Sequence, residues 1–165
     1  MDIEKILEQV DRLLAQKKGD EAESLLLESA VYAVEHEDDE SLLQLLNELL
    51  GYYRETGQAE NVDTCASRAV GLARRMGLEG TLPYATTLLN VANAYRACGR
   101  LAESAACYRE VEEIYGRLLP PDSPAIAGLK NNRSLLYQET GEYEKAKRQQ
   151  EEALAIVAGD GLAYE

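Results

Sequence analysis

Residues 118–146 read LLPPDSPAIAGLKNNRSLLYQETGEYEKA, and this stretch decides the fold. Its Pro-Pro pair ends one helix-forming segment, because proline cannot continue a helix interior. Ser123 and Pro124 then suit the N-cap and the first turn of a new helix. That helix is expected to end at Gly141, since a residue without Cβ easily takes the left-handed conformation that closes a helix. The stretch therefore predicts two helices joined by a tight turn.

The same arrangement of helix, glycine and helix recurs along the chain. The glycines are 38, 42 and 42 residues apart (57−19, 99−57 and 141−99), and they are Gly19, Gly57, Gly99 and Gly141. Small or apolar residues follow them by 5 and by 12 residues, which places both positions on one helical face. These residues are Ser24, Val62, Ser104 and Ala146, then Val31, Ala69, Val111 and Ala153. One helix pair cannot bury such a face alone, so the repeats are expected to stack.

The pattern resembles the tetratricopeptide repeat. Tyr53, Tyr95 and Tyr137 stand four residues before their glycines, and the small residues Ala92 and Ser134 stand seven before. The spacing of 42 exceeds the usual period of ~34 residues and resembles the longer variety found in kinesin light chains. The resemblance implies an all-α, right-handed solenoid of four helix–turn–helix pairs, with about eight antiparallel helices.

The spacing places the repeats along one domain that spans residues 1–165. The four repeats are predicted at about 3–36, 40–77, 83–118 and 124–158. Residues 159–165 resemble the linker before a further repeat, or form a frayed tail. We therefore expect either that the natural protein continues or that another subunit covers the last repeat, which makes a homo-oligomer through the C-terminal repeat an expectation.

The formal net charge of −13 argues against whole classes of partner. Nucleic acids and anionic membrane surfaces attract basic proteins, so neither is expected to bind here. An acidic surface suits a basic peptide, or simply keeps the protein soluble. No stretch approaches the ~20 apolar residues of a membrane span. The three cysteines have no metal-ligand spacing and suit a reducing compartment, so a cytoplasmic location is expected.

No catalytic constellation is recognisable in the sequence. His36 is the only histidine and lies in an acidic linker, so a nucleophile would lack its usual base. The acidic run at 37–40 lacks the spacing of a metal site. We therefore expect no enzyme, no metal and no cofactor.

The resemblance also implies which side chains line the groove, namely those about ten, nine, six and three residues before each glycine. Asparagine amides offer both a donor and an acceptor, which suits the backbone of an extended peptide. Arginines at these positions would pair with acidic groups of a ligand. The predicted peptide-binding residues are Asn47, Arg54, Asn90, Asn93, Arg96, Asn131, Asn132 and Gln138. The alternative is that the asparagines bond to neighbouring helices or water and the arginines pair with local glutamates.

One known ligand class of the family is disfavoured by the residues at the corresponding positions. Repeats that grip a C-terminal Glu-Glu-Val-Asp tail carry Lys or Arg where this chain has Leu89, Ala127 and Asn131. The leading hypothesis is a protein- or peptide-binding scaffold that uses the concave groove. The alternatives are a regulatory or sensor module of a longer protein, and a self-associating structural solenoid.

Overall fold

The computed structural model describes the backbone of residues 1–162 and the side chains of residues 1–159. Within this range the chain forms α-helices and no β-strand. The helices are α1 (Ile3–Ala15), α2 (Gly19–Glu35), α3 (Asp39–Glu55), α4 (Ala59–Arg75), α5 (Leu82–Ala97), α6 (Leu101–Leu118), α7 (Pro124–Glu139) and α8 (Tyr143–Leu162). They make four pairs, repeats one to four, in the predicted order. None of them combines the length and the apolar content that crossing a membrane requires.

The helices group into two compact units. The first, Met1–Gly77, holds α1 to α4, and the second, which begins at Leu78, holds α5 to α8. In each unit the helices that follow one another in sequence pack side by side, and in the second unit α5 also contacts α7. Leucines such as Leu45 fill the first core at 0% exposure, and each contributes roughly 1.5–3 kcal/mol through burial. The predicted single domain over residues 1–165 stays a prediction.

The turn inside each repeat is closed by one residue with a positive φ, which we call the turn residue. Gly57, Gly99 and Gly141 fill this role with φ of 69°, 77° and 79°. In repeat one the turn residue is Lys17, with φ of 59°, and Gly19 is the first residue of α2. The prediction that Gly19 closes the first helix was therefore wrong. A non-glycine residue rarely adopts positive φ, so the pattern pointed to the nearest glycine.

This two-residue shift changes which side chains of repeat one are buried. Val31, predicted on the inner face, is 57% exposed, and Ser24 is also exposed. The residues five and twelve after Lys17 are Ala22 and Ser29, with exposures of 0% and 7%. The matching residues of the other repeats, all buried, are Val62, Ser104, Ala146, Ala69, Val111 and Ala153. The predicted helical face was right for three repeats and displaced in the first.

The start of α7 and the end of α8 also differ from the prediction. Ser123 occupies the N-cap position before Pro124, but its side chain makes no capping hydrogen bond in the described structure. Its carbonyl instead accepts from the amide of Ile126 at 3.0 Å. Helix α8 continues to Leu162, beyond the end of the fourth repeat predicted near residue 158. The rest of the predicted linker or tail, residues 163–165, lies outside the described residues.

Candidate functional site

Six of the eight predicted binding residues lie on α5 and α7, which are neighbours in the second unit. Asn90, Asn93 and Arg96 recur every three residues along one face of α5. An ion pair joins the two helices, because Nη1 of Arg96 lies 3.0 Å from Oε1 of Glu139. The structure thus brings the two predicted sets together on adjacent helices. The α7 set is Asn131, Asn132 and Gln138.

Asn93 and Arg96 are held by a buried polar network. Tyr108 of α6 is 0% exposed, and its hydroxyl donates a hydrogen bond of 2.5 Å to Oδ1 of Asn93. Arg96 also hydrogen-bonds to Tyr108. Ser104, another buried residue of α6, donates to the carbonyl of Ala92 at 2.7 Å. The network holds α5 against α6. The hydrogen bond of Asn93 matches the alternative to peptide binding, in which the asparagines bond to neighbouring helices.

The network also shifts the ionisation of its members. Burial raises the pKa of Tyr108, which outweighs the lowering by Arg96 and Ser104. Burial alone would lower the pKa of Arg96, but hydrogen bonds with Tyr108 and Glu139 raise it above its ordinary value. The tyrosine is therefore neutral and the arginine charged at neutral pH. Nε of Arg96 is buried and has no hydrogen-bond partner in the part of the chain that the structure describes.

The amides on α7 have a different environment. Asn131 and Gln138 are exposed and Asn132 is half-buried. None of the three side chains makes a hydrogen bond to the described residues, although the backbone carbonyl of Asn131 accepts from Ser134. The amides of Asn131 and Gln138 are therefore open to solvent, and that of Asn132 is partly so. Asn90 on α5 is half-buried and has a polar partner of its own.

The remaining two predicted residues, Asn47 and Arg54, lie on α3 in the first unit. The amide nitrogen of Asn47 donates to the carbonyl of Leu43 in its own helix, at 3.0 Å. Arg54 lies 3.7 Å from the carboxylate of its neighbour Glu55 and is 34% exposed. Both contacts are local and match the alternative of intramolecular partners.

Sequence reasoning did not identify two glutamates of the second unit that pair with arginines, namely Glu139 and Glu112. Glu139 follows Arg96 by 43 residues, one period plus one, so the repeat spacing could have revealed the pair. Arg133 stands at a position that is buried and apolar in repeats two and three, where Leu49 and Val91 occur. Its head pairs with Glu112 of α6 and donates to the hydroxyl of Tyr137, at 3.2 Å. No sequence signal points to Glu112, which lies on another helix.

The described residues contain no group of three His, Cys, Asp or Glu side chains that could hold a metal ion. The ring of His36 stacks on Tyr32 at 3.8 Å, and its Nδ1 lies 2.9 Å from the carbonyl of Tyr32. Both contacts are local to the end of α2. The arrangement on α5 and α7 consists of side-chain amides beside the ion pair of Arg96 and Glu139.

Comparison with known proteins places these helices in a family. A family model of the tetratricopeptide repeat matches residues 83–158. The crystal structure of BtubC (BKLC) from P. vanneervenii is similar over 93% of this chain, with a TM-score of 0.83 and 26% sequence identity. The second unit thus matches the tetratricopeptide repeat family, and the similarity of fold extends over 93% of the chain. The chain spans 61% of the length of the BtubC chain. No curated protein sequence matches it.

Two further crystal structures are of a Podosopora anserina protein described as a kinesin light chain with nearly identical repeats like the tetratricopeptide repeat. They have TM-scores of 0.76 and 0.80 at 21% identity, over 96% of this chain and 76% of theirs. These similarities confirm, at the level of the fold, the predicted all-α helical-repeat solenoid of the kinesin-light-chain variety. Tetratricopeptide repeats serve in general as protein-interaction modules without catalysis of their own, and this is the class of function that the family supports.

Proposed function

We propose that this chain is a protein-binding scaffold that holds an extended segment of its partner against α5 and α7. The observation that carries the proposal is the set of three α7 amides with no hydrogen bond to the described chain: Asn131, Asn132 and Gln138. An extended peptide exposes unpaired backbone amides and carbonyls, and asparagine or glutamine side chains can satisfy both.

The charged pair beside these amides supports the same proposal. Arg96 is held at 18% side-chain exposure by Tyr108 and Glu139, so its guanidinium is already ordered before a ligand arrives. An ordered donor loses little conformational entropy on binding. A carboxylate of the partner would compete with Glu139 for the same nitrogens. The asparagines would then fix the peptide backbone and Arg96 would favour an acidic side chain at one point along it.

The first test compares alanine variants with a matched control. A peptide library is screened against the wild type, and the ligands found are titrated against the double change Asn131→Ala, Asn132→Ala and against Asn90→Ala, Asn132→Ala. We expect each double variant to bind about tenfold or more weakly, because two peptide hydrogen bonds are lost at about 1 kcal/mol each. Asn61→Ala on α4, where the amide bonds to Gln58, should bind as the wild type does. Unchanged affinity in both double variants would contradict the proposal.

The cellular context belongs to the same proposal. Cys65, Cys98 and Cys107 are all free thiols, which suits the reducing cytoplasm. We propose that the partner is a protein there, with neither nucleic acid nor membrane as ligand, in line with the net charge of −13. A regulatory or sensor module of a longer protein would use the same surface, and a pulldown with the α7 double variant as reference would identify the partner in either case.

A second candidate function, self-association through the C-terminal repeat, is favoured by the surface of α8. Val157 lies sixteen residues after its turn residue and is 56% exposed. The matching side chains of the other repeats are buried, at 1% for Ala33, 0% for Ala73 and 6% for Tyr115. An apolar side chain at this position is normally covered. We propose that another helix, from a second copy, covers α8.

Light scattering tests this second candidate. We expect a homo-oligomer at concentrations of about 100 μM, because one small apolar patch supports weak association only. Val157→Asp should shift the population to monomer without changing the helix content, since the side chain lies in solvent in the isolated chain. The control is Thr64→Asp, at an exposed position of α4. Val70 is half-buried, so Val70→Asp would not be a suitable control. A wild-type chain that stays monomeric at this concentration would rule out the candidate.

A further inference from the structure

Helix α2 carries an apolar stripe on its solvent side. Leu27, Val31 and Val34 are 43%, 57% and 61% exposed. Their spacing of four and three residues places them along one face of the helix, on the side away from the buried residues Ala22 and Leu26. We call this surface the α2 stripe. The α2 stripe lies in the first unit, whereas α5 and α7 belong to the second.

The α2 stripe is peculiar to repeat one. Counted from the turn residues, the same three positions hold polar residues or glycine in repeats two and three: Ser67, Gly71 and Arg74, then Arg109, Glu113 and Gly116. In repeat four they hold Glu151 and two alanines. The architecture of the repeat therefore does not require large apolar side chains there. Three of them together on one solvated face instead indicate a surface that a partner covers.

An acidic row runs beside the stripe. Glu21, Glu28 and Glu35 recur every seven residues, are all exposed and cover roughly 21 Å of the helix at about 1.5 Å per residue. Glu28 and Glu35 stand three before and four after Val31, so both adjoin it on the helix surface. In the described structure none of the three carboxylates pairs with a Lys or Arg side chain. The row is thus an uncompensated negative edge along an apolar stripe.

We propose that the α2 stripe and its acidic row dock a basic amphipathic helix of a partner protein. Apolar side chains of that helix, spaced i, i+4 and i+7, would pack on Leu27, Val31 and Val34. Lys or Arg side chains on its flank would reach the row of glutamates. Apolar contact supplies the attraction, and the charges set orientation and choice of partner.

A second copy of this chain fits the same surface poorly. Two α2 helices packed on each other would bring the three glutamates of each copy to the rim of one small contact. The first turn of α2 also carries Asp20, and its last turn has no basic residue. Like charges facing each other oppose association, whereas a basic helix converts each repulsion into an attraction. The charge of the surface therefore selects a partner of the opposite sign.

The experiment uses the full chain and a designed probe. The probe is a fluorescent helical peptide of about 18 residues, made of Leu, Ala and Lys with one leucine stripe and lysines along its flank. Anisotropy titrations compare the wild type with two triple variants: Leu27→Gln, Val31→Gln, Val34→Gln, and Glu21→Gln, Glu28→Gln, Glu35→Gln. We expect each triple variant to bind about tenfold or more weakly, and the glutamate variant to lose most of the salt dependence as well.

Three controls separate this docking site from general stickiness. Leu154→Gln removes a side chain that is 68% exposed on α8 and should leave binding unchanged. The double change Asn131→Ala, Asn132→Ala should also leave it unchanged, which keeps the result independent of the proposed α5–α7 surface. A probe with Glu in place of Lys should not bind measurably.

Three outcomes would overturn the proposal. The first is wild-type affinity in the triple variant of the stripe. The second is equal binding of the acidic and basic probes. The third is a homodimer of the wild type that the triple variant of the stripe dissolves, since the occupant would then be a second copy. Circular dichroism of every variant should match the wild type, because all the changed residues of the stripe and the row lie on the exposed surface.

Discussion

Val10→Asp is expected to destabilise the first unit by about 4 kcal/mol, whereas Val31→Asp should cost less than about 1 kcal/mol. Both changes place the same carboxylate on a helix of repeat one. Val10 is 1% exposed and Val31 is 57% exposed. At Val10 the charge would be buried without a partner, and the apolar contacts of valine would be lost as well.

The reason for the contrast is the register of repeat one. Val10 lies seven residues before Lys17, and the equivalent residues of the other repeats, Leu50, Ala92 and Ser134, are all buried at 0–2% exposure. If Gly19 were the turn residue, Val31 would lie on the inner face. The pair of aspartate variants therefore distinguishes the two registers by a difference of several kcal/mol.

Thermal unfolding followed by circular dichroism measures the two changes. A loss of about 4 kcal/mol corresponds to a drop in Tm of roughly 10 °C for a chain of this size, and a loss below about 1 kcal/mol to a few degrees at most. Val62→Asp serves as a reference for a buried valine in repeat two, where the register is not in question. A larger loss at Val31 than at Val10 would contradict the register in which Lys17 is the turn residue.

The same repeat shows how far the sequence predicts the fold. Helix order and repeat type follow from recurring glycines in repeats two to four, because Gly57, Gly99 and Gly141 all adopt the positive φ that glycine allows. In repeat one Lys17 adopts it instead, and nothing local in the sequence marks a lysine for that role. A non-glycine residue in this conformation costs about 1–3 kcal/mol, which the packing of α1 on α2 must offset.

The sequence predicted which helices carry the candidate residues, but it did not predict the contacts that these residues make. Asn90 and Asn132 stand one period apart in the sequence, and this spacing alone predicted that they lie on equivalent helices of adjacent repeats. Spacing cannot tell whether an amide faces solvent or a neighbouring side chain. Asn93 is 8% exposed, and the hydroxyl of Tyr108, on another helix, donates a hydrogen bond to its side-chain oxygen Oδ1. That contact depends on the distance between α5 and α6, which the sequence pattern does not contain.

Tyr108→Ala is expected to cost the second unit about 4 kcal/mol, which is typical for removing a fully buried aromatic side chain. Tyr108→Phe keeps the ring and should cost about 1–2 kcal/mol. In that variant Oδ1 of Asn93 loses its donor and Arg96 loses an acceptor, both in a region with little access to water. The measurement is the free energy of unfolding in urea for both variants.

The control and the pH dependence separate the hydrogen bond from the packing. Tyr115 is also buried, at 6% exposure, but makes no side-chain hydrogen bond within the described residues, so Tyr115→Phe should change stability by less than about 0.5 kcal/mol.

Because burial raises the pKa of Tyr108, the unfolded chain loses the hydroxyl proton of this tyrosine at a lower pH than the folded chain does. The wild type should therefore lose stability above pH ~10, the pKa of an unperturbed tyrosine, and its advantage over Tyr108→Phe should shrink there. Equal stability of the wild type and Tyr108→Phe at pH 7 would show that the hydroxyl does not hold Asn93 and Arg96 in place.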